Sequence, residues 1–519
     1  MAKESLLAID VGTQSVRAVV FDRAGHLLAR QQVTLDPPWQ APQPGWAEQD
    51  AEAYWRAAAR ACQALWTTGD AHPQDIAGLA LTTLRGTVVC ADEQGHALRP
   101  AILWLDQRRA EHLPALGPWW SNLFALAGAS ALVHRLQQDA EANWLAEYEP
   151  AVWRRTARYV LISGYLTHRL VGEWVDAVAC QVGYLPFDYR RQAWASLRGF
   201  QWKLAPVRST QLPRLVAPGQ ALGALTPAAA QALGLRAGLP VIAAGADKAC
   251  EVLGCGALAP DVAQLSFGTT ATINTTQSRY VEVERLLPAY PAALPGAWNT
   301  EIQIYRGFWM VSWFKREFAA REQAKAAELH VPVESLFDAL VQSVPPGAMG
   351  LTLQPYWSPG TRNPGPEAKG AIIGFGDVHT RGHLYRAILE GLAYGLRAGR
   401  EQIEHRLHRR LRRVVVGGGG SQSDAAMQIT ADVFGLPVER PRVYETSALG
   451  AAINLAVGLG LYADHASAVG AMCSTARVFT PDAATVRLYD ALYRDVYRPL
   501  YRRLKPLYRA IRRITGYPA

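Results

Sequence analysis

The sequence predicts an α/β protein built from two domains of similar design. Its 519 residues exceed the usual size of one hydrophobic core, which favours two domains. Each half carries a strand, a turn of small residues and a second strand, within 6–22 in the first half and 263–274 in the second. Glycine and proline cluster near 255–262, so we predict an N-terminal domain over 1–257 and a C-terminal domain over 258–519.

The first half is predicted to begin with a meander of three strands. Pro37 and Pro38 end this run, and Asp50 is placed to begin a helix whose alanines recur at helical spacing. Apolar runs bounded by turn residues predict the strands of this half at 6–10, 16–22, 27–33, 76–83, 88–90 and 241–244.

The second half is predicted to alternate strands with glycine-rich turns. Strands are expected at 263–267, 271–274 and 414–416, and the last of these runs into four glycines. A helix over 424–434 follows and stops at a glycine. The segment 358–370 is so rich in proline and glycine that we interpret it as an excursion loop.

The composition is typical of a globular protein outside the membrane. Half of the residues are hydrophobic and 19% are charged, and no uncharged apolar run is long enough to span a bilayer. The apolar run at 6–9 is too short for a signal peptide. Six scattered cysteines without CxxC spacing disfavour a zinc site or a disulfide framework. We therefore expect a cytoplasmic protein with reduced thiols and no membrane partner.

Much of the net charge of +9 lies in the C-terminal segment. Tyr489, Tyr493, Tyr497 and Tyr501 recur there every four residues, which places them on one face of a helix. Binding of nucleic acid or an anionic membrane is one interpretation. We favour the other, a helix that docks by its tyrosines, exposes its basic face and is kinked at Pro499.

The first candidate site is the turn 10–15 between two strands. Gly12 allows a tight turn whose N–H groups, with the Thr13 hydroxyl, can face phosphate oxygens. Asp10 ends a buried strand and could hold Mg²⁺, which prefers carboxylates and water. A plain hairpin turn with a satisfied aspartate remains an equal alternative. A second turn of this kind, with Gly268 and Thr269, would allow a polyphosphate to be held from both sides.

The four glycines at 417–420 form the third candidate site. Consecutive glycines let a flat ring approach the backbone, and the N-terminus of the following helix is expected to offer free N–H donors. The dinucleotide pattern G-x-G-x-x-G fails because Gln422 stands at its third glycine, and no Walker A sequence is present. The alternative is a flexible loop with a helix cap.

The fourth candidate is Asp247, with Lys248 beside it, at the carboxyl end of a predicted strand. Such ends are where α/β sheets place their ligands. A carboxylate there can accept the proton of an attacking hydroxyl. Asp247 can equally cap a helix, and the residues alone leave both interpretations open.

Together these motifs resemble the FGGY carbohydrate kinases over nearly the whole chain. The two phosphate turns match the family's first and second phosphate motifs. The most specific match is the family's adenosine-site signature, which is carried here by Gly417, Gly418, Gly419, Gly420, Ser421, Gln428, Ala431, Asp432, Gly435, Pro437 and Val438. The sugar-binding domain of the family is matched at Trp104, Asp106, Arg108, Trp144, Glu149, Pro150, Gly172, Phe187 and Asp188.

The resemblance implies two duplicated actin-like, ribonuclease H-like domains with a ligand cleft between them. It further implies ATP as phosphoryl donor, Asp247 as general base and Asp10 as the residue that holds Mg²⁺. The nucleotide would be bound by Gly12, Thr13, Gln14, Gly268, Thr269, Gly419, Gly420 and Ser423. The sugar would be bound by Leu84, Arg85, Asp106, Asp247 and Lys248.

Departures from the family pattern concern the acceptor. Glycerol kinase-like members carry Arg-Glu where this chain has Leu84-Arg85, and xylulokinase-like members carry His at the position of Arg85. Glu141 stands three residues before Trp144, where the family usually has Lys. The pattern argues against glycerol and leaves the acceptor open.

We therefore expect ATP-dependent phosphorylation of a hydroxyl on a small sugar or polyol of the pentulose type. The alternative is a non-catalytic actin-like nucleotide-binding or sensor protein, which would not need a base at the cleft. A dehydrogenase is disfavoured by the failed dinucleotide pattern. We expect no nucleic-acid partner, and a homodimer is compatible with the sequence.

Overall fold

The computed structural model describes residues 4–284, 287–360 and 364–517. The strands of the first half are β1 (Ser5–Val11), β2 (Ser15–Phe21), β3 (Leu27–Thr34), β4 (Glu48–Gln49), β5 (Ile76–Thr83), β6 (Val88–Ala91), β7 (Ala101–Ile102), β8 (Arg158–Leu161), β9 (Val175–Ala177), β10 (Phe187–Asp188), β11 (Ala193–Trp194), β12 (Arg214–Val216), β13 (Ala221–Ala224) and β14 (Pro240–Ala246). Its α-helices are α1 (Ala51–Leu65), α2 (Pro118–Leu126), α3 (Ser130–Asp139), α4 (Glu141–Tyr148), α5 (Pro150–Arg155), α6 (Ile162–Val171), α7 (Pro227–Leu233) and α8 (Asp247–Gly254).

The second half has a comparable number of elements. Its strands are β15 (Val262–Phe267), β16 (Ala271–Gln277), β17 (Tyr290–Pro291), β18 (Trp298–Ile304), β19 (Thr352–Gln354), β20 (Ala371–Ile373), β21 (Arg413–Gly417), β22 (Val438–Pro441) and β23 (Thr475–Phe479). Its α-helices are α9 (Trp309–Phe318), α10 (Ala320–Leu329), α11 (Phe337–Gln342), α12 (Arg381–Leu407), α13 (Asp424–Phe434), α14 (Thr446–Gly458), α15 (His465–Met472), α16 (Ala483–Leu492) and α17 (Arg498–Thr515).

One large sheet organises each half, and the two sheets share a local design. The first runs in the order β13–β14–β5–β1–β2–β3, and the second in the order β17–β18–β16–β15–β21–β22–β23. In the first, β1 pairs antiparallel with β2 and parallel with β5. In the second, β15 pairs antiparallel with β16 and parallel with β21. The duplicated α/β architecture is therefore confirmed, including the predicted meander of β1, β2 and β3.

A third, smaller sheet of order β4–β7–β6–β8 lies in the first half. The helices α4 and α5 pack beside it, and they bury Trp144, Leu145 and Trp153 against this sheet. This unit presents the loop that contains Trp104 to the end of the larger sheet, where the Trp104 indole donates a hydrogen bond to Thr13.

The two halves share one interface of helices that the division at residue 257 does not anticipate. Helix α14, from the second half, packs on the first sheet, where Leu449 and Leu455 share a buried cluster with Leu6. Helix α14 also crosses α8, and a side chain at Gly254 or Gly450 would overlap the backbone of the facing helix. Only glycine allows the two helix backbones to approach so closely.

The C-terminal segment docks by its tyrosines, as the spacing predicts. Of the predicted face, Tyr489, Tyr493 and Tyr497 are buried and Tyr501 is half-buried, and the hydroxyl of Tyr489 donates to Glu390 of α12 over 2.7 Å. The irregularity expected from Pro499 is a π-helical turn at Tyr493–Tyr497, and Pro499 itself stands in the first turn of α17. Within the described residues, no helix combines the length and apolarity needed to cross a membrane.

The loop predicted at 358–370 contains no regular element at 358–360 or 364–370, and residues 361–363 lie outside the described residues.

Candidate active site

The four motifs lie at the carboxyl ends of parallel strands. Strands β1, β5 and β14 run parallel, so Asp10, Arg85 and Asp247 come to one edge of the first sheet. Strands β15 and β21 do the same in the second sheet, where Gly268 and the four glycines follow. The sequence motifs therefore converge where an α/β sheet places ligands.

The first phosphate turn is tight and held from several sides. The Gly12 N–H donates to the Ser15 carbonyl over 2.9 Å, and the Gln14 carbonyl accepts from Leu35 over 2.9 Å. The Thr13 hydroxyl accepts from the indole of Trp104 over 3.0 Å. The Gln14 side chain is exposed. Trp104 thus contacts the first phosphate turn, a contact that its sequence motif alone did not predict.

Asp10 lies inside a network of alternating charges. Its Oδ2 is 3.1 Å from Nη1 of Arg17, and Nε of Arg17 is 3.8 Å from Glu445, which also pairs with Arg30. Burial raises the pKa of Asp10 to about 6, against the opposing effect of Arg17. Nearby Glu445 and Asp247 contribute to this raised pKa, so negative charge is concentrated here. Sequence reasoning missed Arg17 and Glu445.

Asp247 is the first residue of α8, directly after β14. Its Oδ1 accepts the N–H of Lys248 over 2.7 Å, but the N-cap residue of α8 is Ala246, so Asp247 does not make the contact that the helix-cap interpretation expects. No protein group among the described residues donates to its Oδ2 in the hydrogen bonds of the structure. Burial raises the pKa of Asp247, while Lys248 and Arg85 lower it. One oxygen of the Asp247 carboxylate is thus bound to the backbone of α8, and the other has no protein donor among the described residues.

Lys248 links the two halves beside Asp247. Its Nζ lies 2.9 Å from Oε2 of Glu251 and 2.6 Å from the hydroxyl of Ser266, at the end of β15. A Cβ on Gly268 would lie only 3.8 Å from the same nitrogen. Burial lowers the pKa of Lys248, but the carboxylates of Glu251 and Asp247 outweigh burial and raise it overall. A protonated amine therefore lies against the second phosphate turn.

The four-glycine turn packs against two stacked rings. Phe267 and Phe308 stack with their ring centroids 4.3 Å apart. A side chain at Gly420 would overlap Phe308, and Gly418 has φ of 83° with Phe267 behind it. Apart from its own chain neighbours, no atom of the described residues lies within 4 Å of a Cβ built on Gly419, so that residue faces open space. Of the two glycines predicted to meet adenosine, Gly419 has the open side.

The N-terminus of α13 corrects one expectation. The Ser423 hydroxyl donates to Oδ1 of Asp338 over 2.5 Å and accepts from Ala426 N–H over 3.1 Å. Oδ2 of Asp338 accepts from Asp424 N–H over 3.0 Å. The N–H groups of Asp424 and Ala426 therefore already have acceptors, so they are not the free donors expected at this helix end, and Ser423 as a nucleotide contact stays a prediction.

Two of the predicted sugar contacts also have structural roles. Asp106 accepts four hydrogen bonds, from Ala47 N–H and from three nitrogen atoms of Arg108, which use both of its oxygens. Leu84 is 3% exposed and packs in the core of the first sheet. Asp106 therefore orients its loop and Leu84 fills the core, and their assignment as sugar contacts stays a prediction.

A small cavity lies between the two halves, and its wall includes Ala246 and Lys248, the residues on either side of Asp247 in the sequence. The polar residues of its wall are Arg85, Lys248, Asn274, Tyr290, Asn299 and Glu301. Tyr290 and Glu301 were missed because they come from β17 and β18, which carry no glycine or motif signal.

Comparison with known proteins decides the family. Residues 5–254 match the model of the N-terminal domain of the FGGY family of carbohydrate kinases, and residues 263–459 match that of the C-terminal domain. The chain belongs to the FGGY family. It is accordingly a carbohydrate kinase with the family's two-domain actin-like fold, and the alternative of a non-catalytic nucleotide-binding protein is not supported.

The proteins to which this chain is similar are named as kinases of different kinds. The chain is 30% identical to the uncharacterized sugar kinase YgcE of Escherichia coli K12, over 96% of this chain and 94% of that protein. It is 31% identical to autoinducer-2 kinase of Klebsiella pneumoniae, over 94% of this chain and 92% of that protein. The crystal structure of xylulose kinase from Rhodospirillum rubrum superposes with a TM-score of 0.79 at 28% identity, over 98% of this chain and 100% of that one.

Glu141 departs from the family pattern and is half-buried, with its Oε2 enclosed by the protein. Its Oε2 has no hydrogen-bond partner, and burial raises the pKa of Glu141 to about 8. In the unfolded chain the carboxyl ionises near pH 4.5, so folded-state stability falls as pH rises from there to about 8.

We expect Glu141→Gln to raise the melting temperature increasingly across that pH range, with little effect near pH 4.5. Thermal denaturation of both proteins at several pH values measures the difference. The exposed Glu317→Gln is the matched control and should show no such trend. An equal shift at all pH values would contradict the assignment.

Proposed function

We propose that this FGGY kinase transfers the γ-phosphoryl group of ATP to a hydroxyl of a small sugar or polyol, of the pentulose type. The observation that carries the proposal is the position of Asp247. Asp247 has one oxygen without a protein donor among the described residues, it lies between the cavity residues Ala246 and Lys248 in the sequence, and the Lys248 amine lies against the second phosphate turn. The xylulose kinase name of one structural relative supports the pentulose class.

The backbone turns would hold the nucleotide. Gly12 and Thr13 face the phosphates from the first half, and Gly268 and Thr269 from the second. Gly419 has the open side on which a flat base can approach the backbone. Phosphoryl transfer depends mainly on such positioning and on stabilisation of charge.

The residues at Asp10 fit Mg²⁺. The buried carboxylate has one oxygen paired with Arg17, and neighbouring carboxylates add negative potential. Mg²⁺ is commonly bound by one or two carboxylates and keeps waters and substrate phosphates as its other ligands. Asp10 would hold the ion, directly or through water, and the bound ion supplies charge neutralisation at the phosphates.

Asp247 and Lys248 would act at the reacting atoms. The Asp247 carboxylate accepts the proton of the sugar hydroxyl as that oxygen attacks the γ-phosphorus. The raised pKa makes Asp247 a better proton acceptor than an exposed aspartate. The Lys248 ammonium neutralises charge on the phosphoryl group from the side of Ser266.

A panel of ketoses, aldoses, polyols and sugar acids, assayed for ADP release with MgATP, tests the proposal. We expect a pentulose to give the highest kcat/KM and product analysis to show one phosphate ester. ADP release that no panel member stimulates would contradict the proposal, and preference for a polyol or an aldose would contradict the pentulose class.

A further inference from the structure

An ion pair joins the two halves of the chain across the small cavity. Nη2 of Arg85, which follows β5, lies 2.5 Å from Oε1 of Glu301 on β18. The Arg85 side chain is 20% exposed and that of Glu301 is 4% exposed. The Arg85 guanidinium also lies 5.0 Å from the ring centroid of Tyr290. Arg85 is thus held by both Glu301 and Tyr290, and the ion pair joins a residue of the first half to one of the second.

The pair keeps unused hydrogen-bonding capacity toward the cavity. Among the described residues, no protein acceptor binds Nε or Nη1 of Arg85, and no protein donor binds Oε2 of Glu301. None of these three atoms belongs to the buried polar atoms that lack partners, so they are not sealed from a small ligand. The cavity therefore offers donors and an acceptor side by side, with the Asp247 carboxylate nearby.

Building on the function proposed above, we propose that Glu301 is the acceptor-specificity residue of this kinase. With Arg85 it binds two neighbouring hydroxyls of an uncharged acceptor, one donating to Glu301 and the other accepting from Arg85. Because the two residues come from different halves, the acceptor is held from both sides of the cavity. The sequence departure at Arg85 is thereby explained, since its carboxylate partner comes from β18 and not from the next residue.

The same pair disfavours an acidic acceptor. Arg85 would attract a carboxylate if it stood alone, but Glu301 already neutralises its charge. A sugar acid in this cavity would also face the Asp247 carboxylate, which lies within electrostatic range of Arg85. A hydroxyl can both donate and accept and therefore satisfies both members of the pair without adding charge. The cavity thus distinguishes sugars from sugar acids by charge.

The decisive variant is Glu301→Gln, which keeps the size of the side chain and removes its charge. We expect KM for the preferred neutral sugar to rise about 10- to 100-fold, the range of one hydrogen bond to a charged group. KM for ATP should change less than about twofold, because no nucleotide-binding turn is touched. The ratio of kcat/KM for the neutral sugar to that for its sugar acid should fall by at least about tenfold.

Two further measurements separate this inference from the function itself. Glu334→Gln removes the exposed partner of Lys315 and serves as the matched charge control, with unchanged kinetics expected. ADP binding and the melting temperature of Glu301→Gln should match those of the wild type, which shows that the fold is kept. If the wild type phosphorylates a neutral sugar and Glu301→Gln does so with the same KM and the same selectivity, the inference fails while the kinase function stands. A wild type that prefers a sugar acid also overturns it.

Discussion

Replacing Asp247 with asparagine is expected to lower kcat for phosphoryl transfer by about 10²- to 10⁴-fold, the usual contribution of a general base. Asparagine keeps the size of the side chain and can still accept the Lys248 N–H that holds it at the start of α8. It cannot take a proton from the sugar hydroxyl. Because the phosphate turns are unchanged, the affinity for ATP should stay within a few-fold of the wild type.

Steady-state kinetics with the preferred sugar, together with calorimetric binding of ATP, measure the two quantities separately. Asp464→Asn is the matched control, since Asp464 is an exposed residue that caps α15 by accepting the Ser467 N–H. It should keep full activity. A near-normal kcat for Asp247→Asn would refute its role as base, whereas loss of ATP binding would indicate a structural role.

Gly450→Ala is expected to lower the free energy of unfolding strongly. The added methyl group would overlap the carbonyl of Cys250, so α8 and α14 must separate along their crossing. Overpacking of this kind costs about 1–3 kcal/mol, and more where backbone is the obstacle. Since α8 begins with Asp247, the displacement should also lower kcat.

Denaturant unfolding monitored by tryptophan fluorescence measures the loss. Gly470→Ala is the control, because Gly470 lies in helix α15 with no atom within 4 Å of the added methyl. There the helix propensity of alanine should stabilise by about 0.5–1 kcal/mol. If Gly450→Ala is as stable as Gly470→Ala, the helices can separate without cost and the close crossing has no energetic role.

Local patterns predicted the elements well. The helix expected at 424–434 is α13, and the strand expected at 76–83 is β5, because an N-cap, a stop glycine and apolar runs are all encoded within a few residues. The strand ends that carry Asp10 and Asp247 were found for the same reason.

Long-range partners were not predictable in this way. Arg85 meets Glu301, Ser423 meets Asp338 and Arg30 meets Glu445 across large separations in sequence, and no spacing rule relates such residues. The contact of Ser423 with Asp338 has this origin, whereas three of the four hydrogen bonds to Asp106 come from Arg108, two residues away in the sequence. Each residue type suits a ligand contact, but a partner supplied by the fold already satisfies it.

The packing of α14 on the first sheet has a consequence for biosynthesis. The apolar face that includes Leu6 and Phe21 is covered by Leu449 and Leu455, which leave the ribosome more than four hundred residues later. A nascent chain of the first 257 residues can form this sheet but lacks α14, so apolar side chains that α14 later covers are exposed to solvent. Exposed apolar surface of this kind is what chaperones recognise. The first half of this kinase is therefore synthesised first, but its core packing is complete only after α14 has been synthesised.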